Sequence, residues 1–377
     1  MLDDKKSNKK MFAFMNAYTF GKGGGDVLFL ELCKYFKQYA EITVITSELG
    51  KKLVLEYCDN INFIITDKRK YFKNIVPSYL YRGFNALFIR IKLKNDDIFY
   101  GTSDFLPDVL PIFFYKLHNK KAMWVQKIYH IIPTHRKISS CAQNLSFFLI
   151  KLLSDKIIVI NNDVRKYLIK KGFNEKKIEI IHPGINLNNI QNKKHKDCAN
   201  YDAVFVGRLI ESKGIYDLVE IWDLVCGKIN NAKLAIIGSG GSETTNKLVG
   251  LIKSKNLEYN IDMLGYVKNN YDMYSIIQSS KLLVFPSHEE GFSLSIAETM
   301  ALGIPVIAYN LDVYREIYGD SITYVDFSNT AQFAEKIIKL LNDKNLLTYY
   351  SKLGLEIVKK FDISNCAKNE LSMMNLT

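Results

Sequence analysis

Phe285-Pro-Ser-His-Glu-Glu-Gly-Phe-Ser-Leu-Ser-Ile-Ala-Glu298, running on to Met300-Ala-Leu-Gly-Ile-Pro-Val306, reads as strand end, glycine-containing loop, helix and next strand. A second corner of the same kind lies upstream. Val204-Phe-Val-Gly-Arg-Leu-Ile-Glu-Ser-Lys-Gly214 takes a strand at Asp202–Val206 into a helix at Ile215–Cys226. Short apolar runs continue the scheme at Lys233–Ile237, Ile261–Leu264, Leu282–Pro286, Pro305–Ala308 and Thr323–Val325, with helical patterns near Thr244–Lys255, Tyr271–Ser279, Ser295–Ala301, Thr330–Leu341 and Leu346–Lys360. The front half alternates in the same way, with helical patterns at Asp26–Tyr39, Tyr79–Lys92, Pro107–His118, Leu145–Leu153 and Asp163–Lys171 between several of its strands. Strands are expected at Met11–Ala17, Glu41–Ser47, Asn62–Thr66, Asp97–Gly101, Ala122–Lys127, Lys156–Ile160 and Ile178–His182. Such alternation implies parallel sheets covered by helices on both faces. The polar stretch Gly184–Asn200 carries little periodicity and separates the halves. The expectation is an α/β chain of two doubly wound domains, residues 1–188 and 198–360. Ligands in such sheets sit at the carboxyl ends of the strands, so a cleft between the domains is the default site.

Bulk properties agree. At 377 residues, 48% hydrophobic and 24% charged, the chain is foldable and long enough for two domains. Its six cysteines are scattered without a Cys-x-x-Cys pair, which suggests neither a disulfide framework nor a zinc site. No apolar run reaches the roughly 20 residues that span a bilayer, and residues 1–10 lack the apolar segment of a signal peptide. A cytoplasmic location is therefore expected. Charge is uneven: residues 1–190 hold 31 Lys and Arg against 17 Asp and Glu, leaving 20 against 22 for the remainder. All the excess positive charge lies in front and points to an anionic partner, a nucleic acid or a membrane surface. Between Lys68 and Lys94 cations alternate with aromatics, as in helices that lie on anionic membranes or as in a core helix with a basic outer face.

Two readings are open for the acids of the opening stretch. Glu290 and Glu298 can accept hydrogen bonds from sugar hydroxyls while the helix N-terminus between them takes phosphate. Alternatively, Ser295-Ile-Ala-Glu298 is a capping box and Glu290 a solvated loop acid. The second corner favours a site, because Arg208 and Lys213 can project over the strand ends and neutralise a diphosphate. Gly207 permits close backbone approach there. A dehydrogenase is disfavoured, since neither Gly21-Lys-Gly-Gly-Gly-Asp26 nor Gly238-Ser-Gly-Gly-Ser-Glu243 fits Gly-x-Gly-x-x-Gly. A P-loop signature is absent as well, and no Asp-x-Asp pair offers a site for a divalent metal.

With these motifs the chain resembles the retaining glycosyltransferases of family four, which have the GT-B fold. The resemblance is strongest over Asp202–Asp320, where Gly-Arg-Leu-x4-Lys-Gly, Gly265-Tyr-Val267 and Glu-x7-Glu occur in order. Weaker echoes lie in Gly21–Asp26, Thr102–Asp108, Tyr129–Pro133 and His182–Asn186. It implies two Rossmann-like domains facing each other across a cleft, with the tail 361–377 packing back on the first. It also implies roles. Arg208 and Lys213 would bind the donor diphosphate, Glu298 the nucleotide ribose and Glu290 a hydroxyl of the transferred sugar. The backbone of Gly291, Phe292, Ser293 and Leu294 would contact phosphate and sugar. Tyr266 and Val267 would lie beside the base, and Gly24 and Gly25 would let the front domain approach the diphosphate. His130 matches a histidine near the anomeric carbon and acceptor; read on its own it is also an ordinary strand-end histidine. Ser293 and Ser295 replace a glycine and a proline often found there, which bears on sugar selectivity.

The expected function is retaining, metal-independent transfer from a nucleotide-diphosphate sugar, with no further cofactor. The acceptor would be a glycan or lipid-linked intermediate of cell-surface polysaccharide synthesis. Peripheral contact with the cytoplasmic face of an anionic membrane is expected, and no nucleic-acid partner. The alternatives are another GT-B nucleotide-sugar enzyme, such as an epimerase or phosphorylase, and a non-catalytic partner subunit of the same fold.

Overall fold

Strands that are buried along nearly their whole length need cover on both faces, and this decides the layers. In a computed structural model that describes residues 9–18, 23–69, 75–89, 91–134, 136–191 and 199–376, the chain divides into two units. The first comprises Met1–Gly184 with Ile363–Thr377, and the second Ile185–Asp362.

The first unit is built on a seven-stranded parallel sheet: β1 (Lys10–Met15), β2 (Glu41–Ser47), β3 (Asn62–Asp67), β4 (Ile98–Gly101), β5 (Met123–Ile128), β6 (Lys156–Val159) and β7 (Ile178–Ile180). Their spatial order is β3-β2-β1-β4-β5-β6-β7. Met11, Ala13 and Met15 of β1 face one core cluster, and Phe12 and Phe14 face the other. Both sides must therefore be covered by helices. The connecting helices are α1 (Gly24–Phe36), α2 (Glu48–Tyr57), α3 (Ile75–Leu87), α4 (Leu106–His118), α5 (Lys137–Leu153) and α6 (Asn162–Lys170). Leu28, Phe29 and Phe36 of α1 join the first cluster, while Val109, Phe147 and Leu168 of α4, α5 and α6 join the second.

The C-terminal helix Ile363–Met373 belongs to this unit and packs against α1. A fully buried ion pair ties it to the sheet: Lys127 Nζ lies 2.6 Å from Glu370 Oε1, and Tyr100 Oη donates to Glu370 Oε2 at 2.5 Å. The side chains are 1% and 0% exposed, so removing one partner would strand a charge in the interior.

The second unit starts with α7 (Leu187–Gln191) and holds a six-stranded parallel sheet: β8 (Ala203–Val206), β9 (Leu234–Ile237), β10 (Ile261–Gly265), β11 (Leu283–Phe285), β12 (Val306–Tyr309) and β13 (Thr323–Val325). The order is β10-β9-β8-β11-β12-β13, so the winding reverses between β8 and β11. Its helices are α8 (Ile215–Cys226), α9 (Ser242–Ser254), α10 (Asn270–Gln278), α11 (Leu294–Ala301), α12 (Asp312–Tyr318), α13 (Thr330–Asn342) and α14 (Lys344–Ile357). Side-chain caps start several of them: Asn329 accepts from Gln332 N ahead of α13, and Asp343 from Leu346 N ahead of α14.

Three elements differ from the periodicity reading. Helices α2 and α12 were not expected. The segment read as a polar separator contains α7, whose only buried side chain is Ile190. One inward residue in five is too faint a stripe to register as periodicity. No helix among the described residues is long and apolar enough to cross a membrane.

Candidate active site

The reversal of strand order brings two loops side by side at the carboxyl edge of the second sheet. After β8 the chain passes through Gly207, Arg208 and a turn at Glu211–Lys213 into α8. After β11 it passes through Pro286–Ser293 into α11. The loops are joined by main-chain contact, His288 N donating to Ser212 O at 2.9 Å and Ser287 Oγ to the same carbonyl at 3.2 Å. Gly214 has φ 66°, and a Cβ on it would fall 1.8 Å from Pro286 O, so glycine alone fits this crossing.

Charges converge on this corner. Lys213 Nζ lies 2.5 Å from Glu290 Oε1, with side chains only 15% and 10% exposed. Burial pushes the Glu290 carboxyl above its ordinary range, opposed by Lys213 and, more weakly, by Ser287 and Arg208. Arg208 is exposed, and its guanidinium has no hydrogen-bond or ion-pair partner among the described residues. One cation is thus occupied by a carboxylate and the other is open to an incoming anion.

Glu298 is not a capping residue. Helix α11 begins at Leu294, with Ser293 as its N-cap, which places Glu298 beyond the reach of a capping box. Its Oε1 instead accepts from the phenol of Tyr274 on α10 at 3.0 Å. Burial pushes this carboxyl up to about 7, and the Tyr274 bond pulls against that rise.

The turn ahead of α11 offers main chain rather than side chains. Phe292 points into the core against Tyr318 and Phe361. Ser293 adopts φ 69°, and Tyr318 Oη donates to the carbonyls of both Phe292 and Ser293, which holds the turn. No side chain caps α11, whose positive end faces the same corner beside Gly291 and Leu294. Tyr266 and Val267 follow β10, two strands away along the same edge, and Tyr266 is exposed. Gly238 N donates to Gly265 O at 2.9 Å, which links the ends of β9 and β10.

The remaining expected residues lie in the first unit. Gly24 and Gly25 open α1, and a Cβ on Gly25 would come 2.9 Å from the ring of Tyr129. The next residue, His130, is exposed, so α1 and the end of β5 meet there. Of the groups behind this histidine, Asp104 lies in the weak echo at Thr102–Asp108 with no role assigned to it, and Gln143 lies in no motif. Gln143 Nε2 donates to Asp104 Oδ2 at 2.7 Å and to His130 O at 2.8 Å, while its Oε1 accepts from Ile132 N. Burial raises the Asp104 carboxyl, and Gln143 and His130 pull it back. Behind the second-unit corner, likewise unread, His288 Nε2 lies 2.9 Å from Asp217 Oδ2, which also accepts from Tyr309 Oη.

Comparison with known proteins adds three findings. Residues 188–356 match the family model described as glycosyl transferases group 1. CapM, a capsular polysaccharide biosynthesis glycosyltransferase of Staphylococcus aureus, is 28% identical over 65% of this chain and 65% of its own. A poly(glycerol-phosphate) alpha-glucosyltransferase of Bacillus subtilis is 29% identical over 46% of this chain. The chain spans 65% of the first relative's length and 26% of the second's. Anabaena HepE, solved with UDP and glucose, superposes with a TM-score of 0.77 at 15% identity, covering 98% of this chain and all of that one. That likeness establishes a GT-B fold.

Proposed function

We propose, on the match of residues 188–356 to the glycosyl transferases of group 1, that the chain is a retaining glycosyltransferase using a nucleotide-diphosphate sugar. The observation that carries this reading is the corner of the second unit. There Lys213 pairs with the buried Glu290, Arg208 has no partner among the described residues, and the uncapped helix that follows carries the buried Glu298.

In the reaction the anomeric C–O bond to the diphosphate breaks as negative charge builds on the departing phosphate. Arg208, Lys213 and the N–H groups opening α11 stabilise that charge, an effect worth several kcal/mol when donors are preorganised. Glu298 holds the ribose and Glu290 a hydroxyl of the sugar. The acceptor oxygen bonds to the anomeric carbon on the face the diphosphate leaves, and its proton passes to the departing phosphate oxygen. His130 orients the acceptor. Because HepE was solved with UDP, UDP-sugars are the first donors to test. The relatives named for capsule and poly(glycerol-phosphate) support a glycan or lipid-linked acceptor in surface-polysaccharide assembly.

Peripheral contact with an anionic membrane is part of the proposal. Helices α3, α4 and α5 pack side by side, and their outer faces leave Leu80, Phe84, Phe114, Ile138, Phe148 and Leu152 exposed. From residue 75 to 153, Asp96 is the lone exposed acid among the described residues, against Lys92, Lys94, Lys120, Lys121, Arg136, Lys137 and Lys151. That balance favours an anionic bilayer over a protein partner. In the basic segment expected from sequence, Arg69 is engaged by Asp67, and Lys70 and Lys73 lie outside the described residues.

The activity is tested by nucleoside-diphosphate release from UDP-, GDP- and ADP-sugars with octyl glycosides as acceptors, followed by NMR of the product's anomeric proton. The product is expected to keep the donor's anomeric configuration. An inverted product would contradict retention, and isomerised donor formed without acceptor would replace transfer with epimerisation.

A further inference from the structure

Tyr274 sits on α10, which no sequence motif of the corner includes. Its side chain is 5% exposed, and its phenol donates to Oε1 of Glu298 on the adjacent α11 at 3.0 Å. Among the described residues the second oxygen of Glu298 makes no hydrogen bond. A carboxylate can accept about four hydrogen bonds, so a single anchored oxygen fixes the plane of the group and leaves the other available.

We propose that Tyr274 is a positioning residue for donor binding: it anchors one oxygen of Glu298 and presents the other to a hydroxyl of the bound nucleotide sugar. This rests on the reading that Glu298 contacts the donor. The bond has a second consequence. Helix α11 packs against α7, α10, α14, β12 and the turn 358–361, and among the described residues Tyr274 of α10 is the titratable group that acts on this carboxyl. Burial drives Glu298 towards its protonated form, with a midpoint of about 7, and the phenol O–H favours the ionised form. Tyr274 therefore also sets the fraction of Glu298 that can accept a hydrogen bond near neutral pH. Phenylalanine at 274 would keep the packing and remove both effects.

The test is calorimetric titration of wild type, Tyr274→Phe and Glu298→Gln with UDP-glucose, whose diphosphate does not itself titrate between pH 6 and 9. Tyr274→Phe is expected to weaken binding by about tenfold at pH 7, the scale of a hydrogen bond to a charged group, and by less than about threefold at pH 9. If Glu298→Gln leaves binding unchanged, the donor role of Glu298 is wrong. If Glu298→Gln weakens binding while Tyr274→Phe does not, or weakens it equally at both pH values, the inference about Tyr274 is overturned. Thermal melting decides without a ligand. The melting deficit of Tyr274→Phe should grow from pH 5.5 to pH 8.5 and lose that pH dependence in a Glu298→Gln background. A deficit independent of pH in both backgrounds would mark Tyr274 as structural only.

Discussion

At the scale of single residues, the corner of the second unit pairs Lys213 with the buried Glu290 and leaves Arg208 exposed. Lys213 pairs with Glu290 and is expected to contact the donor phosphate as well when a nucleotide sugar binds. Lys213→Met should lower kcat/KM by about a hundredfold or more, the scale of losing one preorganised donor, as measured by steady-state transfer assays. A stability measurement gives an independent check on Glu298. Its carboxyl is raised from 4.5 to about 7, so between those values the folded chain holds a proton that the unfolded chain has released. Stability is therefore drained as pH rises through that window, and the loss is complete above it. Glu298→Gln should raise the melting temperature at pH 8 and hardly change it at pH 4. Arg208, Lys213, Glu290 and Glu298 were legible from two motifs because each follows a strand end at fixed spacing. Tyr274, Asp104 and Gln143 were not, since their partners lie 24, 39 and 13 residues away and only the fold brings them together.

At the scale of elements, strands were easier to read than helices. Every strand of both sheets lies within two residues of its expected bounds, because buried parallel strands are short apolar runs with sharp polar edges. Helix α5 was expected from Leu145 and begins at Lys137, since its first half buries Ser140 and Gln143 in place of a hydrophobic stripe. Two junctions between elements carry predictions. Gly214→Ala puts a methyl group against Pro286 O at a left-handed backbone position. It should cost roughly 1 to 3 kcal/mol in denaturant unfolding and weaken nucleotide-sugar binding by parting the two loops. Glu370→Ala, which leaves Lys127 charged and buried, should destabilise the first unit by about 3 kcal/mol or more. The paired change Lys127→Met with Glu370→Leu should recover most of that loss.

For the whole molecule, composition and alternation were enough to expect an α/β chain with two parallel sheets, and charge asymmetry marked the front half as the basic one. Neither could show that α3, α4 and α5, each with exposed apolar residues, pack side by side, because they come from three separate stretches of chain. Replacing Phe84, Phe148 and Leu152 together by serine should reduce co-sedimentation with anionic phosphatidylglycerol vesicles several-fold while transfer to a water-soluble acceptor persists. Equal binding by the triple variant would remove these helices from the membrane proposal. The sugar, base and acceptor were not legible because main-chain contacts and pocket shape select them, and spacing in the sequence encodes neither.

Capture of a nucleotide sugar's pyrophosphate by one corner of the second unit is the core of the proposed function. Its most direct measurement is calorimetric titration of the full chain and of Arg208→Ala with UDP-glucose, GDP-mannose and ADP-glucose. Wild type is expected to bind one of the three at a single site, and Arg208→Ala to weaken this binding at least about tenfold, as loss of a charge-assisted contact should. Binding that is undiminished in Arg208→Ala, or absent for all three ligands in wild type, would contradict it.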